Sequence, residues 1–486
     1  MNMDYRSVIL FLAFIMLFIA LVMLVPLLIA VSSDEYDSIM GFLKTIILML
    51  AVSLIAIAFT WKRKELNIGT KEATLIVSLT WIIMTAFGAL PMYFSGAIPS
   101  YTECFFEIMS GFTTAGATVL SDIETLDKSI LFWRSLTNWL GGMGVVVLFV
   151  AVLPIFGVKG NALVGAETVG PSKSKLTPTI RGTALVLWMI YIGLSAAQTV
   201  LLYLGGLDWF NSFTVMFGTI GAAGFVPLNA SIAGYESTYV EWVCIVFMLL
   251  AGINFSLYFY VIRGQFRKVM KNTELRLYLA LIGVSSALVA IQLLVKGVYS
   301  SLPEALREAL FHVVSMITTT GFVADEFNCW PMFSQMLLIL VCFIGACSGS
   351  AGGGIKVIRV GVLLRLGYNS MLKRVHPNTV SPVSFGSDHI DNNTALSIAG
   401  YAGCYFATLF AGAVVIGLTD LDFLTCFASV FLCLGNLGTG IGGMGAGFSF
   451  SIFPEWSLWV FSFLMLIGRL EFYTVYTIFT KAFWTR

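Results

Sequence analysis

From Val8 to Val31 the chain runs without one charged side chain. A spanning helix needs about 20 mostly apolar residues, so this stretch alone commits the chain to a bilayer. Nine further apolar runs meet or approach that length: 45–61, 73–94, 135–157, 182–205, 241–262, 277–295, 331–364, 395–419 and 456–480. The run 45–61 is short, with Lys44 and Lys62 at its ends able to snorkel. The first run is too long for a signal-peptide core of about 7–15 residues, and no small-residue cleavage pattern precedes Asp34, so it reads as a retained helix. The chain is 58% hydrophobic and 11% charged, where a soluble domain carries about 25% charged residues. A formal charge of +1 gives no footing for a nucleic-acid partner. Eight cysteines, without metal-ligand spacing, read as small core residues.

Between the long runs lie apolar segments too short to cross: Glu103–Thr113, Trp209–Thr219, Ala305–Ile317 and Phe423–Leu434. The first two long runs form a plain hairpin. The other eight form four pairs, each enclosing one short segment. The expected fold is an all-α polytopic membrane protein, with four pseudo-repeated helix–short helix–helix units around a central pore plus an N-terminal transmembrane helix pair. Its expected divisions are 1–70 for the pair, then 71–160, 161–265, 266–380 and 381–486 for the four units. Each short segment runs out at a glycine: Gly116, Gly224, Gly321 and Gly438. Their spacings of 108, 97 and 117 residues suit an internal repeat.

Loop charges set the expected orientation. With the N-terminus inside, the inside segments hold 21 of the 27 basic residues. The outside gaps hold Lys44, Lys128, Arg134, Lys296 and Arg307, together with 18 of the 26 acids. By the positive-inside rule both termini face the cytoplasm and the four short segments face out. An acidic outer mouth would concentrate cations.

Backbone at membrane depth must bond internally or line a watery cavity. A short helix followed by a glycine turn does the second, and four such turns suggest a ring of carbonyls replacing the water around a potassium ion. The expected filter is Thr113, Thr114, Ala115 and Gly116; Gly221, Ala222, Ala223 and Gly224; Thr318, Thr319, Thr320 and Gly321; and Gly435, Asn436, Leu437 and Gly438. The threonines can add hydroxyls. The second and fourth turns are poorer in side-chain oxygen.

The eighth run contains Gly345-Ala-Cys-Ser-Gly-Ser-Ala-Gly-Gly-Gly354 and then Lys356. Five glycines in ten residues, each costing about 1 kcal/mol relative to alanine, break a helix. We read Gly345, Ser348, Gly349, Ser350, Gly352, Gly353, Gly354 and Lys356 as a flexible intramembrane gate beneath the filter. Close helix packing through small residues is the competing reading. Arg469 lies inside the last run, where a charge costs about 2.5–3.5 kcal/mol. It should face the pore or bond the carbonyls of 345–354. A pair with Glu471 is disfavoured, because residues two apart on a helix diverge. Trp139-Leu-Gly-Gly-Met-Gly144 reads as close packing, Asn138 as an interfacial polar residue, and His312 as a satisfied neighbour of the filter.

The four turns, Trp139-Leu-Gly-Gly-Met-Gly144, Leu176-Thr-Pro178, Ser348-Gly-Ser-Ala-Gly-Gly-Gly-Ile-Lys356 and Leu466-Ile-Gly-Arg-Leu-Glu471 together resemble the TrkH family of the Trk/Ktr/HKT potassium-transport superfamily. The extra N-terminal pair is similar to TrkH rather than KtrB. The resemblance implies a homodimer with one pore per subunit in the bacterial inner membrane, and a cytoplasmic ring of nucleotide-binding TrkA-type subunits. It implies that 345–354 is the gating loop and Arg469 the arginine beside it. It also implies potassium as the transported ion, since in plant relatives a serine at the first filter position goes with sodium. Ala351 stands where the family leads us to expect threonine, and the turn 221–224 lacks hydroxyls. No Gly-x-Gly-x-x-Gly occurs in the longest inside loop, about 367–393, so a regulatory nucleotide must sit on a partner.

Other classes fit less well. An organic-solute carrier shows broken helices, but not four short segments each ending in glycine. A less selective potassium and sodium conductor, or a cation-coupled transporter, stays open. A membrane enzyme needs a cluster of intramembrane nucleophiles, carboxylates or histidines, and essentially only Arg469 and Glu471 answer to that. Absence of an intramembrane acid chain points towards channel-like conduction over proton symport.

Overall fold

The computed structural model describes residues 3–60, 68–144, 180–378, 382–386, 388–438 and 448–485. Leu176-Thr-Pro178, the later part of run 135–157, and the cations Lys62, Lys159, Lys173 and Lys175 lie outside the described residues. The described chain is helical apart from one small hairpin, in which β1 (Ser384–Phe385) pairs antiparallel with β2 (Asp388–His389). Among the described residues, 6 helices are long and apolar enough to cross a membrane, or up to 8 if each of two bent pairs is one span. The protein is an all-α, multi-pass membrane protein.

In lipid a helix pairs its own backbone groups, which is why the apolar runs become helices. Their side chains divide by face. In Tyr36–Thr60, Ser38, Gly41, Phe42, Thr45, Ile46, Met49 and Ser53 are buried at three- and four-residue spacing. Ile47, Leu54, Ile55 and Phe59 are exposed on the other side, an apolar face suited to lipid. This helix begins earlier than run 45–61 and spans without help, so Lys44 lies within it and not at its end. It packs with Tyr5–Ser32 and with the end of Thr70–Phe94. Gly41 permits the approach, since a Cβ there would lie 2.7 Å from the Pro91 carbonyl oxygen.

Four short helices stand where expected: Tyr101–Phe112, Trp209–Ile220, Leu302–Ile317 and Phe423–Gly435. Three begin on side-chain caps. Asp208, Ser301 and Asp422 accept from the backbone N–H groups of Asn211, Glu304 and Thr425. Hydrogen bonds from Thr425 hold the exposed Asp422 carboxyl below its ordinary range.

The helix after each short one stops early. These are Lys128–Gly142, Thr238–Ala251, Met332–Ile344 and Glu455–Leu470. A break in run 331–364 is expected, and the helix resumes at Val357. Runs 241–262 and 456–480, read as single spans, are corrected. Thr238–Ala251 and Phe255–Ile262 are bent by 94°, and Glu455–Leu470 and Phe472–Ile478 by 117°. At the first bend Asn254 turns out of the helix and its Oδ1 caps the Ser256 N–H at 2.9 Å. At the second Glu471 adopts φ 63. Apolar runs continue on both sides of each bend, interrupted only by Asn254 at the first and by Arg469 and Glu471 at the second, so run length along the chain does not register them.

Candidate functional site

The four short helices end in one repeated turn. Thr114, Ala222, Thr319 and Asn436 are left-handed, with φ of 58, 52, 58 and 53. Their N–H groups donate to Gly111, Thr219, Met316 and Cys433, three residues back, at 3.1, 3.1, 3.1 and 3.4 Å. The next residues, Ala115, Ala223, Thr320 and Leu437, donate to Ser110, Gly218, Ser315 and Leu432, five back, at 2.8, 3.0, 2.9 and 2.9 Å. This pair of bonds is the Schellman motif, which usually places glycine at the left-handed position. Here three side chains other than Asn or Gly occupy it, at a cost of roughly 1–2 kcal/mol each.

A glycine follows in each turn. Gly116, Gly224 and Gly321 have φ of 72, 84 and 77, whereas Gly438 lies outside that region. A Cβ on Gly116 would lie 1.9 Å from the Ala223 carbonyl oxygen, and one on Gly224 2.2 Å from that of Thr320. On Gly438 it would lie 2.7 Å from the Gly116 oxygen. So the first turn touches the second, the second the third, and the fourth the first, backbone to backbone. All four glycines line one cavity, together with Thr118, Arg134 and Phe225.

The segment 345–356 covers the opposite end of the turns. Gly353 N–H donates to Thr319 Oγ1 at 2.6 Å, and Gly354 N–H to the Gly435 oxygen at 3.2 Å. A Cβ on Gly352 would lie 2.6 Å from the Thr318 oxygen, and one on Gly353 2.4 Å from that of Gly435. The glycine run is therefore required by contact with other backbone. The far side of the segment rests on the second-unit bend. Cys347 N–H donates to the Gly252 oxygen, Ala351 N–H to the Ala251 oxygen, and Phe255 N–H to the Gly349 oxygen, at 3.1, 3.3 and 3.0 Å. Ser348 N–H donates to Glu274 Oε1 at 2.6 Å, and Ser350 Oγ to the Cys347 oxygen at 2.6 Å. Gly345, at φ 73, packs on Gly354. Lys356 is buried, at φ 86, and its Nζ donates to the Gly352 oxygen.

Arg469 ties these parts together. Its Nη1 donates to Thr114 Oγ1 and to the Ala351 oxygen, each at 3.2 Å. Its Nη2 donates to the Gly141 and Gly142 oxygens at 2.5 and 3.0 Å. One planar guanidinium thus spans the first turn, the covering segment and the first-unit helix end, as its fork of donors permits. Glu471 pairs with Arg359 instead, whose guanidinium lies 3.9 Å from the Tyr401 ring centre.

Three sequence assignments change. Asn138 is fully buried, not interfacial. With its amide turned to suit both neighbours, it donates to the Gly111 oxygen at 3.1 Å and accepts from Phe225 N–H at 3.2 Å, joining the first two turns. Trp139-Leu-Gly-Gly-Met-Gly144 does pack closely, with a Cβ on Gly142 falling 2.6 Å from Gly221 Cα, but it also supplies two carbonyls to Arg469. Arg134, counted among outside loop charges, is 1% exposed. His312 stays a satisfied neighbour, against the Glu308 and Asp325 carbonyls at 2.9 and 3.2 Å.

A profile of the TrkH family, described as a cation transport protein, matches residues 38–485. The chain belongs to the TrkH family. It is similar to the Trk system potassium uptake protein TrkH of Escherichia coli strain K12, at 38% identity over 453 residues, covering 91% of this chain and 92% of that one. The corresponding protein of Halomonas elongata is 34% identical, with 100% of each chain covered. Among solved structures, the potassium transporter TrkH from Vibrio parahaemolyticus superposes with a TM-score of 0.89 at 31% identity, covering 99% of this chain and 100% of that one.

Within this TrkH-family chain several site residues escape sequence reasoning. Glu107 sits on the first short helix at 0% exposure, paired with Arg134 at 2.5 Å. Glu274 and Arg359 hold the covering segment and the Glu471 bend. The available signal is an ionisable residue in or at the edge of an apolar segment, which membrane burial makes costly unless it is paired. The left-handed residues carry little signal, because only Asn436 is of a type enriched there.

Proposed function

We propose that this TrkH-family protein takes up potassium across the bacterial inner membrane through a filter of four backbone turns, gated by the segment 345–356 and Arg469. The observation that carries this is the repeated Schellman turn. It brings Gly116, Gly224, Gly321 and Gly438 to one cavity, while the other end of the same turns is covered by glycine-rich backbone. A turn held this way has its backbone bonds made within the helix end, leaving carbonyls to replace an ion's hydration shell. The similarity to proteins named for potassium uptake supports the choice of ion. Neighbouring backbone leaves no room for a side chain at Gly116, Gly224 or Gly438, and Gly321 holds the left-handed φ of 77 that favours glycine. The chain divides as 1–70, 71–160, 161–265, 266–380 and 381–486, with both termini cytoplasmic by the loop-charge asymmetry. The protein acts as a homodimer, and TrkA-type nucleotide-binding subunits regulate it from the cytoplasm.

Uptake of radioactive rubidium into proteoliposomes containing only this protein tests the filter, with potassium and sodium as competitors. Potassium should block uptake and sodium should hardly do so. Gly116→Ser and Gly321→Ser should lower the preference for potassium at least tenfold. Unchanged selectivity in both folded variants would overturn the filter assignment.

One observation favours a second reading, a filter that passes sodium appreciably. Gly438 departs from the backbone geometry of its three counterparts, and the second and fourth turns lack threonine hydroxyls. Strong sodium competition in wild-type protein would select this reading.

A further inference from the structure

We propose that Glu107 and Arg134 are positioning residues for cation permeation, fixing the first two filter turns at the cavity and cancelling a guanidinium charge on its wall. This inference rests on the filter reading above.

The pair is buried and complete. Arg134 Nε donates to Glu107 Oε1 at 2.5 Å, with side-chain exposures of 2% and 0%. Glu107 also accepts from Thr118 Oγ1 at 2.9 Å and from Val119 N–H at 3.0 Å, just past Gly116. Arg134 lies 3.5 Å from the Phe225 ring centre, and its Nη1 donates to the Val226 oxygen at 3.4 Å, just past Gly224. One ion pair therefore clamps the exit of the first turn to the exit of the second. The matching position in the other units, nine residues before their filter glycines, holds Val215, His312 and Ser429 and no acid.

Arg134 also lines the cavity shared by the four glycines. A guanidinium cannot shed its proton. Unpaired, it would repel every arriving cation through a partly dry wall, enough to change occupancy about tenfold at an effective dielectric near 20. Glu107 removes that repulsion while its remaining bonds hold the backbone.

The test measures the half-saturating concentration and maximal rate of rubidium uptake in proteoliposomes, with sodium competition, for Glu107→Gln, Arg134→Gln and the double variant. Glu107→Gln should raise half-saturation about tenfold and leave the maximal rate within about twofold. The neutral double variant should return half-saturation to within about threefold of wild type, yet let sodium compete at least fivefold better, because the clamp is gone. Arg134→Gln should not raise half-saturation. A folded Glu107→Gln with wild-type half-saturation, or a double variant no better than Glu107→Gln, would overturn the charge argument and leave a plain packing role. If Glu107→Gln does not fold, the other two variants decide: a double variant with wild-type sodium competition overturns the clamp, and raised half-saturation in Arg134→Gln overturns the charge argument. Altered selectivity in Gly116→Ser with none in the pair variants would sink this inference alone. Unaltered selectivity in Gly116→Ser and Gly321→Ser would sink the filter reading beneath it.

Discussion

Thr114, Ala222, Thr319 and Asn436 share one left-handed backbone, and three of them have side chains that disfavour it. Strain of this kind persists only where the surroundings dictate it. Here the surroundings are the helix end below and, for the first, second and fourth turns, the backbone of another turn, 1.9–2.7 Å from where a Cβ on Gly116, Gly224 or Gly438 would lie. Arg469 is held by similar backbone demands. It loses its bonds to Thr114 and Ala351 in Arg469→Gln, each worth about 1 kcal/mol. Uptake of rubidium without any partner protein should then rise about tenfold or more. Arg469→Lys should fall between the two, because an ammonium cannot bridge four dispersed acceptors. Equal basal uptake in all three proteins would separate Arg469 from the gate.

At the level of elements, the helix that follows each short helix is only 13 to 16 residues long. Stopping early exposes carbonyls at the ends, and these are what the site uses: Gly141 and Gly142 for Arg469, Ala251 and Gly252 for the covering segment. That segment seats through glycines with no room for a methyl group. Gly353→Ala places a Cβ 2.4 Å from the Gly435 oxygen, so it should lift the segment and raise partner-free uptake severalfold; unchanged uptake would show that the segment does not occlude. The last bend depends on the Glu471–Arg359 pair. Glu471→Ala leaves Arg359 with its main acceptor gone, which should lower stability by about 1–3 kcal/mol, read as a drop in thermal midpoint. Glu471→Gln should lose less, because an amide oxygen still accepts.

Considered whole, the molecule has opposite characters at its two ends. The glycine cavity lies on one side of the four turns, and the segment 345–356 on the other, the side from which Val357–Val375 leads to a basic end. Arg267, Lys268 and Lys271 are exposed beyond the second-unit bend, and Lys373 and Arg374 lie at the end of Val357–Val375. The helix Val357–Val375 starts directly at the covering segment, so a partner seated on its far end would act on the gate through one rigid element. Reversing Lys268, Lys271, Lys373 and Arg374 to glutamate should abolish co-purification with a nucleotide-binding partner and leave the folded membrane protein intact. Retained co-purification would place the docking surface elsewhere.

Membrane class, the number of short helices, the glycine positions and the intramembrane arginine were all legible in the chain. They are local quantities, set by apolar run length, by charge and by residue type. The glycines at 116, 224, 321 and 438 were legible for the same reason, since a missing side chain is visible wherever it falls. Tertiary structure alone decided the 94° and 117° bends, the acceptors of Arg469, the Glu471–Arg359 and Glu107–Arg134 pairs, and the burial of Asn138. Each depends on residues tens to hundreds of positions apart meeting in space. A helix end or a buried charge is satisfied by whatever lies next to it, and along the chain its neighbours are only those it does not use.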